Sequence, residues 1–498
     1  MTPTARHDVV VIGGGVLGAA ILARLSQTTA SVCLVERADD LCGGASKGNA
    51  GVTVSSFADP DSLEGQLVKD SFRRWEDISQ RLDVPFARVG ALVIALRESG
   101  LDSVAAASEA QADFIGVQEI VEETRRFGSD ARVLNAQEAH ALEPNLSPLV
   151  GAAAWLPDEG IIDSLRLVFA YAQLAALNRA RILRNCEVKG FDQHEGIIKQ
   201  VHTTRGTISA GFVVNASGLQ VGEVSGLANG DLFQPTPRYG QFLVVDEEWE
   251  SSPSRILIPL RGPAPQTRGV QIVPTTRGGT LLGPTSEDTV SPIDTATSPA
   301  HSEFLIREAR RLLRDQKRPE PVIKTFAANR VTIGEQSLLL RRDTTIGNLI
   351  HVANRAIGVS CSPALADHAL EILRDAGLKA RDLSEAIDRV PRVPRLRQRV
   401  GRTRQARRER LSEAPADYRV VCACSQVSEA EVLAALGGPV GAVSLNGIRK
   451  RTGVMAGRCQ GALCIPALAR ICAKRIDLTL DDFAISPVPV IQGENGAN

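Results

Sequence analysis

Residues 8–37 read DVVVIGGGVLGAAILARLSQTTASVCLVER, and this stretch decides the fold. Asp8–Ile12 is a short β-branched run that is typical of a buried parallel strand. Three glycines follow it, then a helical pattern over Val16–Leu25 and a second strand over Val32–Val35, which ends at Glu36. A strand, a glycine turn, a helix and a second strand within about 30 residues are the context that a dinucleotide-binding fingerprint needs. The sequence therefore predicts a βαβ unit that binds a dinucleotide.

The glycines and the acid of this unit have separate roles. Gly13 allows the tight turn, Gly15 lets the backbone approach a pyrophosphate, and Gly18 lets the helix and the strand pack closely. The start of the helix presents unpaired N–H groups and a partial positive charge to the phosphates. Glu36 can accept hydrogen bonds from a ribose diol and would repel a 2′-phosphate, so FAD or NAD is favoured over NADP.

The composition is that of an ordinary globular protein, with 43% hydrophobic and 23% charged residues. A chain of 498 residues predicts about three domains. The 57 basic and 57 acidic residues cancel, so no global field would recruit nucleic acid or an anionic membrane. No apolar run approaches the roughly 20 residues that span a bilayer, and the N-terminus lacks the pattern of a signal peptide. We therefore expect a cytoplasmic protein with no transmembrane segment.

Other segments extend the dinucleotide-binding pattern. Loop 38–57 is rich in small residues, and Ser46 and Asn49 in it offer hydrogen bonds to phosphate or flavin. Residues 211–218, GFVVNASG, and 351–360, HVANRAIGVS, are each a buried strand followed by a turn of small residues. The helix that follows the second turn can direct its N-terminus at the pyrimidine end of a flavin ring, where negative charge develops on reduction.

A different pattern lies between residues 235 and 283. Short β-rich runs there are separated by Pro and Gly at nearly regular spacing, which predicts an antiparallel sheet. We interpret this segment as an inserted substrate domain, because the sequence on either side has the α/β pattern.

Four of the nine cysteines form two close pairs near the C-terminus. Cys422 and Cys424 form a CxC motif, and Cys459 and Cys464 form a CxxxxC motif. Four thiolates suit zinc or an iron–sulfur cluster, but zinc sites usually use CxxC knuckles. The basic, glycine-containing stretch 449–457 would stabilise an anionic cluster. The pattern therefore favours iron–sulfur over zinc or unligated thiols.

An arginine-rich segment precedes these cysteines. Residues 391–410, PRVPRLRQRVGRTRQARRER, have no apolar face. A basic run can bind nucleic acid or acidic lipid. Because no aromatic residues are interleaved, we interpret the run as a solvated linker or docking segment and expect no nucleic-acid partner.

Taken in order, several motifs resemble the FAD-dependent D-amino-acid-oxidase superfamily: VVVIGGGVLGAAILARL, GASKGNAG, LPDEGIID, VVNASG, PRYGQF, GGTLLGPTSED and HVANRAIGVSCSPALA. The C-terminal CAC and RCQGALC motifs resemble the bacterioferritin-associated-ferredoxin-like (BFD-like) 2Fe–2S domain. The combination is similar to the family of anaerobic glycerol-3-phosphate dehydrogenase A subunits and L-2-hydroxyglutarate dehydrogenase-like proteins. This resemblance covers nearly the whole chain except the arginine-rich linker and the tail. It implies FAD and a 2Fe–2S cluster as cofactors.

The resemblance also implies which residues form each site. Those expected to line FAD are Gly13, Gly15, Val16, Leu17, Gly18, Glu36, Arg37, Ser46, Asn49, Val188, Ala216, Gly218, Gly358, Val359 and Ser360. Those expected to ligate the cluster are Cys422, Cys424, Cys459 and Cys464. Loop 43–51 contains no histidine, which argues against a histidyl flavin link there.

Two arginines are the candidate catalytic residues. Arg330 and Arg355 match arginines of two family motifs, in which Val331 and Asn354 here replace the usual proline and glycine. The resemblance implies that they clamp the carboxylate or phosphate of the substrate. His351 precedes the flavin turn and is a candidate general base, although a strand histidine is more often a satisfied core residue.

The implied function is that of an FAD-dependent dehydrogenase. It would oxidise a small anionic hydroxy substrate, of the glycerol 3-phosphate or 2-hydroxy acid class, by hydride transfer to the flavin. Electrons would pass through the cluster to an acceptor protein or a quinone, which is compatible with a hetero-oligomer or with peripheral membrane association. One alternative is an amine or imino-acid dehydrogenase, of the proline, sarcosine or opine type, on the same fold. Another is that the C-terminal domain is a binding or iron-sensing module.

The predicted fold class is α/β. It comprises a Rossmann-like FAD-binding domain, an inserted substrate domain with a mixed or antiparallel β-sheet, and a small, mainly helical iron–sulfur domain at the C-terminus. The predicted ranges are 1–85, 145–230 and 325–388 for the FAD-binding domain, 86–144 and 231–324 for the substrate domain, 389–416 for the arginine-rich linker, 417–485 for the BFD-like domain and 486–498 for the tail.

Overall fold

The chain forms two units, residues 1–391 and 392–498. The structure is a computed structural model, and it describes residues 5–97, 103–261, 269–315, 319–393, 395 and 419–476. Most of the predicted linker, the last residues of the BFD-like domain and the whole predicted tail lie outside the described residues.

Strands and helices are interspersed up to residue 177 of the first unit, and runs of consecutive strands predominate beyond it. Up to residue 177 its elements are β1 (Ala5–Ile12), α1 (Val16–Ser26), β2 (Val32–Val35), the 3-10 helix η1 (Ala45–Gly48), β3 (Val52–Thr53), α2 (Leu63–Phe72), α3 (Trp75–Arg81), β4 (Phe86–Arg88), β5 (Ala91–Leu96), α4 (Ser103–Arg126), β6 (Arg132–Asn135), α5 (Ala136–Leu142), β7 (Val150–Leu156), β8 (Gly160–Ile162) and α6 (Ser164–Leu177). Beyond that residue they are β9 (Arg181–Leu183), β10 (Val188–His194), β11 (Ile197–Thr203), β12 (Gly206–Asn215), the 3-10 helix η2 (Gly218–Gln220), α7 (Val221–Leu227), β13 (Pro235–Val245), β14 (Ile256–Pro259), β15 (Gln271–Pro274), β16 (Thr280–Gly283), β17 (Glu287–Asp288), α8 (Pro299–Leu312), β18 (Val322–Ile333), β19 (Leu338–Arg342), β20 (Leu349–Asn354) and α9 (Gly358–Asp375).

An eight-stranded sheet carries the dinucleotide fingerprint. Its strands follow the order β10-β11-β12-β1-β2-β9, and β20 pairs with both β12 and β19. The neighbours β12, β1, β2 and β9 run parallel, as does β20 beside β12. Val9–Ile12 of β1 and all four residues of β2 are buried, and α1 packs against α6 and α9. The predicted βαβ unit is therefore present, with its parallel strands covered by helices.

A nine-stranded mixed sheet forms the second layer, in the order β17-β13-β16-β15-β14-β5-β7-β6, with β18 on β13. Its pairs are antiparallel except for the parallel pair β14 and β5. Strands β7 and β18 belong to this sheet, whereas the predicted boundaries assigned 145–230 and 325–388 to the FAD-binding domain. The difference arises because an apolar strand pattern predicts a strand but not its pairing partner.

Strands β3, β8 and β4 form a small three-stranded sheet in that order. In the sequence, each of them lies between strands of the two larger sheets. Strand β3 follows η1, so this sheet fixes the end of the small-residue loop that we predict to contact a cofactor.

The second unit is mainly helical. It begins with a short hairpin of β21 (Val420–Cys422) and β22 (Val427–Ser428), followed by α10 (Glu429–Leu436), α11 (Leu445–Thr452) and α12 (Ile465–Ile476). Ser428 caps α10 in a capping box with Glu431, and Gly453 ends α11 in the left-handed conformation. The helices enclose a small apolar core. Across the described part of the chain, no helix combines the length and the hydropathy that a membrane span requires.

Candidate flavin and cluster sites

A cavity of about 1140 Å³ lies between the carboxyl ends of the parallel strands β1, β2 and β12 and the strands β13 and β18 of the second sheet. This volume exceeds the roughly 300–1,000 Å³ of typical small-ligand pockets, so a dinucleotide and a substrate can share it. The predicted cofactor residues that line it are Gly13, Gly15, Val16, Leu17, Glu36, Arg37, Ser46, Asn49, Val188, Ala216, Gly218, Gly358, Val359 and Ser360. Arg330 and Arg355 line the same cavity.

The glycine turn has the geometry that its sequence predicts. Gly13 has a φ of +107°, and a Cβ on it would lie 2.5 Å from the carbonyl oxygen of Ala216. Gly18 does not line the cavity; a Cβ there would lie 2.0 Å from the carbonyl oxygen of Gly13. A Cβ on Gly15 would meet only the hydroxyl oxygen of Ser46, at 3.3 Å, among the described residues. The first two glycines thus allow close packing, while Gly15 leaves the cavity side open to a ligand.

We expect Gly18→Ala to abolish tight FAD binding and to lower stability by about 1–3 kcal/mol, because its methyl group would push α1 away from the glycine turn. The measurement is the FAD content of the purified protein together with its melting temperature. Gly190→Ala is the matched control, since no atom of the described residues lies within 4 Å of a Cβ there. Wild-type FAD content in the Gly18 variant would contradict the expected role.

Glu36 ties the fingerprint to the loop that follows it. Its Oε2 accepts a hydrogen bond from the N–H of Gly14 at 2.7 Å, and its Oε1 accepts one from the N–H of Ala38 at 2.9 Å. Each carboxylate oxygen keeps a second lone pair, so the group can still accept from a ribose hydroxyl. Glu36 therefore shapes the turn as well as facing the cavity.

The small-residue loop reaches the start of α1. The hydroxyl of Ser46 accepts a hydrogen bond from the N–H of Val16 at 3.0 Å, at the helix N-terminus that we predict to face a pyrophosphate. Asn49 uses its Oδ1 locally, accepting from the N–H of Gly51 at 2.5 Å. A Cβ on Gly48 would lie 2.0 Å from the Cβ of Ala328 in β18, so η1 packs directly on that strand.

The start of α9 is held by polar contacts. The hydroxyl of Ser360 accepts from the N–H of Val54 at 2.9 Å, which joins the helix to β3. Asn354, where the family motif usually has glycine, accepts from the N–H groups of Ala356 at 3.0 Å and Ile357 at 2.7 Å. Its Nδ2 donates to Glu64 at 2.6 Å. Sequence reasoning missed this structural role, although an asparagine shortly before a helix is a known signal for such a turn.

Arginines concentrate at the end of the cavity formed by the second sheet. Arg330 of β18 lies directly opposite Arg238 of β13, and both line the cavity with Arg355. The Nη2 of Arg330 donates to the hydroxyl of Ser286 at 3.0 Å, while its Nε has no partner among the described residues. Burial, with the charges of Arg238 and Arg355, lowers the pKa of Arg330 to about 10.

One acidic residue balances part of this charge. Asp288 accepts from the Nε of Arg238 at 2.8 Å and from its Nη2 at 3.2 Å. Within the described residues neither Arg330 nor Arg355 forms an ion pair. Sequence reasoning missed Arg238 and Ser286, although Arg238 lies in the PRYGQF motif. This end of the cavity therefore carries uncompensated positive charge, which suits an anion.

His351 does not line the cavity and is fully buried. Its Nε2 is 2.9 Å from Asp343, and its Nδ1 is 3.2 Å from the Nδ2 of Asn215. Because both ring nitrogens have partners away from the cavity, the interpretation of His351 as a general base for substrate is wrong. It is instead a core histidine whose ring nitrogens are both hydrogen-bonded, which is the more common role of a histidine in a strand.

The four C-terminal cysteines come together as two pairs. Cys424 hydrogen-bonds to Cys459, and Cys422 hydrogen-bonds to Cys464. Backbone N–H groups, including that of Leu463, lower the pKa of Cys459, whereas burial raises the pKa of Cys464 to about 11.

The pairing of these sulfurs fits a binuclear cluster. Each pair joins one cysteine of the CxC motif to one cysteine of the CxxxxC motif. A tetrahedral zinc would require all four sulfurs about 3.8 Å apart, whereas each iron of a 2Fe–2S cluster takes two. The donor set therefore fits 2Fe–2S.

Comparison with known proteins agrees with both cofactors. Residues 8–372 match the family described as FAD dependent oxidoreductase, and residues 420–474 match the BFD-like [2Fe-2S] binding domain. The chain therefore belongs to the FAD-dependent oxidoreductase family and is an oxidoreductase whose cofactors are FAD and a 2Fe–2S cluster. The predicted fold class, family resemblance, enzyme class and cofactors are confirmed.

Particular relatives are similar over different lengths. A glycerol 3-phosphate dehydrogenase of Caloramator mitchellensis is 24% identical over 478 residues, 96% of each chain. An L-2-hydroxyglutarate dehydrogenase of Escherichia coli is 23% identical and covers 56% of this chain and 63% of its own length. The solved structure of L-alpha-glycerophosphate oxidase from Mycoplasma pneumoniae with FAD bound has a TM-score of 0.70 at 21% identity, covering 78% of this chain and all of that one. The structural likeness shows the fold.

Proposed function

We propose that this protein is a dehydrogenase that oxidises a small anionic hydroxy substrate, of the glycerol 3-phosphate or 2-hydroxy acid class. The observation that carries the proposal is the uncompensated charge of Arg330 and Arg355 in the cavity that the fingerprint also lines. The similarity of almost the whole chain to a glycerol 3-phosphate dehydrogenase supports the same substrate class. The proposal assigns the predicted cofactor residues to FAD and the two cysteine pairs to the cluster.

The protein's own residues would bind and orient the substrate. Arg330 presents its guanidinium as a fork to the phosphate or carboxylate, and Ser286 fixes one arm of that fork. Arg355 is exposed at the same cavity and adds a second cation. Phe242, stacked on Phe326 with ring centroids 5.1 Å apart, gives this end an apolar wall that restricts water. When bound, FAD supplies the hydride acceptor and a 2Fe–2S cluster supplies one-electron transfer.

We also propose that electrons leave through the second unit to an acceptor protein or a quinone. Leu463 is 75% exposed between the ligands Cys459 and Cys464, which supports contact with another molecule there. Between residues 419 and 476 the acidic residues are Glu429 and Glu431, against a larger number of basic ones, so an acidic protein is the favoured acceptor. The five cysteines outside the cluster form no disulfide among the described residues, which supports the prediction of a reducing, cytoplasmic location.

The test is an anaerobic absorption titration of the purified holoprotein with glycerol 3-phosphate, 2-hydroxy acids and imino acids. Bleaching of the flavin bands by glycerol 3-phosphate or a 2-hydroxy acid, with a ketone as the product, is expected. Bleaching by an imino acid or amine alone would overturn the proposal, because the imine product would identify the alternative chemistry.

A further inference from the structure

A continuous hydrogen-bonded network runs from the buried face of the first sheet to the cavity. Asn215 at the end of β12 and His351 in β20 are paired neighbours, and the Nδ2 of Asn215 is 3.2 Å from the Nδ1 of His351. The Oδ1 of Asn215 accepts from the hydroxyl of Ser217 at 2.6 Å. Ser217 lies in the turn of Ala216, Ser217 and Gly218, which lines the cavity. The side chain of Asn215 therefore links His351 to Ser217 in that turn.

The amide of Asn215 has one allowed orientation. Its Nδ2 also donates to the carbonyl oxygen of Val221 at 2.9 Å, and a flipped amide would place two acceptor oxygens face to face. The nitrogen of the amide must therefore face His351. Since that nitrogen donates, the Nδ1 of His351 has to be an acceptor without a proton.

The other end of the network fixes the remaining proton. The Oδ2 of Asp343 is 2.9 Å from the Nε2 of His351 and also accepts from the N–H of Asp231 at 2.6 Å. The Oδ1 of Asp343 accepts from the N–H groups of Thr345 and Ile346, both at 2.8 Å. These donors and His351 hold the pKa of Asp343 well below its usual range. Because Asp343 stays ionised and accepts, His351 carries its proton on Nε2.

Burial and the charge of Arg341 oppose a second proton on the His351 ring, although the carboxylates of Asp343 and Asp231 favour one. The charged residues that act on it are Asp343, Asp231 and Arg341, and Phe233 packs edge-on against the ring at 4.8 Å between centroids. Burial lowers the pKa of His351 below its usual value despite Asp343. Asp231 is occupied by Arg341 and Thr344. This arrangement is a satisfied proton-bearing network rather than a cation site.

We propose that neutral His351 is a positioning residue that holds the cofactor-contacting turn 216–218 in place through Asn215. The inference rests on the proposed assignment of Ala216 and Gly218 to FAD. A proton on Nδ1 would face the N–H of Asn215, so the amide would shift and Ser217 would lose its acceptor. Affinity for FAD is therefore coupled to the protonation of a histidine that FAD does not touch.

The sign of the pH effect follows from the lowered pKa. Above pH 6.5, the ordinary pKa of a histidine, the ring is neutral and the network is complete. As the pH falls below 6.5 and through the lower pKa of the folded protein, protonation disrupts the contact with Asn215, and FAD affinity falls.

Two variants separate the two ring nitrogens. His351→Asn places an amide oxygen near the position of Nδ1, so it keeps an acceptor for Asn215 but cannot titrate. His351→Gln reaches the position of Nε2, so it keeps the donor to Asp343 and loses the acceptor for Asn215. The dissociation constant of FAD is measured by fluorescence titration of deflavinated full-length protein between about pH 5 and 8, on either side of the ordinary histidine pKa, with the melting temperature recorded for each variant.

We expect His351→Asn to bind FAD nearly as tightly as wild type at about pH 8, and to show no acid-side loss, meaning no fall of FAD affinity as the pH decreases below the ordinary histidine pKa. His351→Gln should bind about tenfold more weakly at every pH. Equal weakening in the two variants, or an unchanged acid-side loss in His351→Asn, would overturn the proposal. If His351→Gln does not fold, the pH dependence of FAD binding in wild type and in His351→Asn still tests the proposal.

Ser217→Ala, measured beside the deflavinated wild-type protein, distinguishes failure of this inference from failure of the site assignment. It removes the shorter of the two contacts between Ser217 and Asn215, the hydroxyl at 2.6 Å, and keeps the backbone N–H of Ser217 at 3.4 Å and His351 itself. Weaker FAD binding without the acid-side loss is expected. If Ser217→Ala binds FAD as wild type does at all pH values, the hydroxyl link does not position the turn and this inference fails, while the assignment of FAD to the cavity stands. Failure of the deflavinated wild-type protein to bind FAD at any pH would instead contradict the assignment itself. None of these measurements depends on the identity of the substrate.

Discussion

Arg330→Gln is expected to lower kcat/KM by about 10²–10³-fold while FAD remains bound. Arg330 is largely buried and forms no ion pair among the described residues, where Asp288 acts on its charge only from a distance, so the substrate anion would be its counter-ion. Removing one partner of a buried charged hydrogen bond costs on the order of 2–5 kcal/mol, and about 1.4 kcal/mol corresponds to a factor of ten. Steady-state kinetics with the substrate found in the titration, and the FAD absorbance of the variant, measure the two effects.

The Arg330→Gln substitution should affect the thermal stability of the protein differently from its activity. The pKa of Arg330 falls to about 10 in the folded protein, so below that pH its charge opposes folding. The neutral variant is therefore expected to melt no lower than wild type. Arg330→Lys should recover part of the activity, because it restores the charge without the fork.

Arg307→Gln is the matched control for Arg330→Gln. Its side chain on α8 is 67% exposed and is paired with Glu308 on the same helix. We expect wild-type kinetics from it. Comparable losses of kcat/KM in the two variants would contradict a specific role for Arg330.

Cys459→Ser is expected to remove the iron–sulfur absorbance and to abolish reduction of a one-electron acceptor, while the flavin is still reduced by substrate at the wild-type rate. Backbone N–H groups lower the pKa of Cys459, which favours the thiolate that would ligate iron under the proposed assignment, and serine cannot replace it at neutral pH. The fold of the first unit does not include this residue. Stopped-flow reduction under anaerobic conditions and an iron assay separate the two half-reactions.

Cys472→Ala serves as the control within the same unit. Cys472 lies in the apolar core, where burial raises its pKa to about 11, so it is a packing residue. We expect Cys472→Ala to keep the wild-type iron content and the wild-type rate of acceptor reduction. If Cys459→Ser loses flavin reduction and acceptor reduction to the same extent, the proposed relay through the second unit is wrong.

The residues that sequence reasoning placed well are those whose role is fixed by local geometry. Gly13 and Gly18 are predictable because a tight turn and a close helix-to-turn contact admit no side chain, wherever the rest of the chain lies. The strand, turn and helix of residues 8–37 form their contacts within one βαβ unit. The CxC and CxxxxC spacing likewise gives a donor set without knowledge of the fold.

Residues whose role depends on distant pairing were not predictable. Arg238 lies opposite Arg330 only because β13 and β18 pair along their whole length, and no local pattern encodes that register. His351 illustrates the same limit. Its position before the turn of residues 354–360 suggested a base, but one partner that defines it, Asn215, comes from another strand, and the other, Asp343, lies in the loop between β19 and β20.

The contact of Gly48 with Ala328 has a thermodynamic consequence. It joins the loop that carries Ser46 to the strand that carries Arg330, with no space between the two backbones. If FAD bound at the loop shifts this contact, the strand that carries Arg330 must move with it, and a substrate anion bound at the strand moves the loop in the same way. The affinity for FAD and the affinity for the substrate anion are then linked. Linkage is reciprocal: the factor by which FAD tightens the binding of a substrate anion equals the factor by which that anion tightens the binding of FAD. Cofactor retention in the cell would then report on substrate supply.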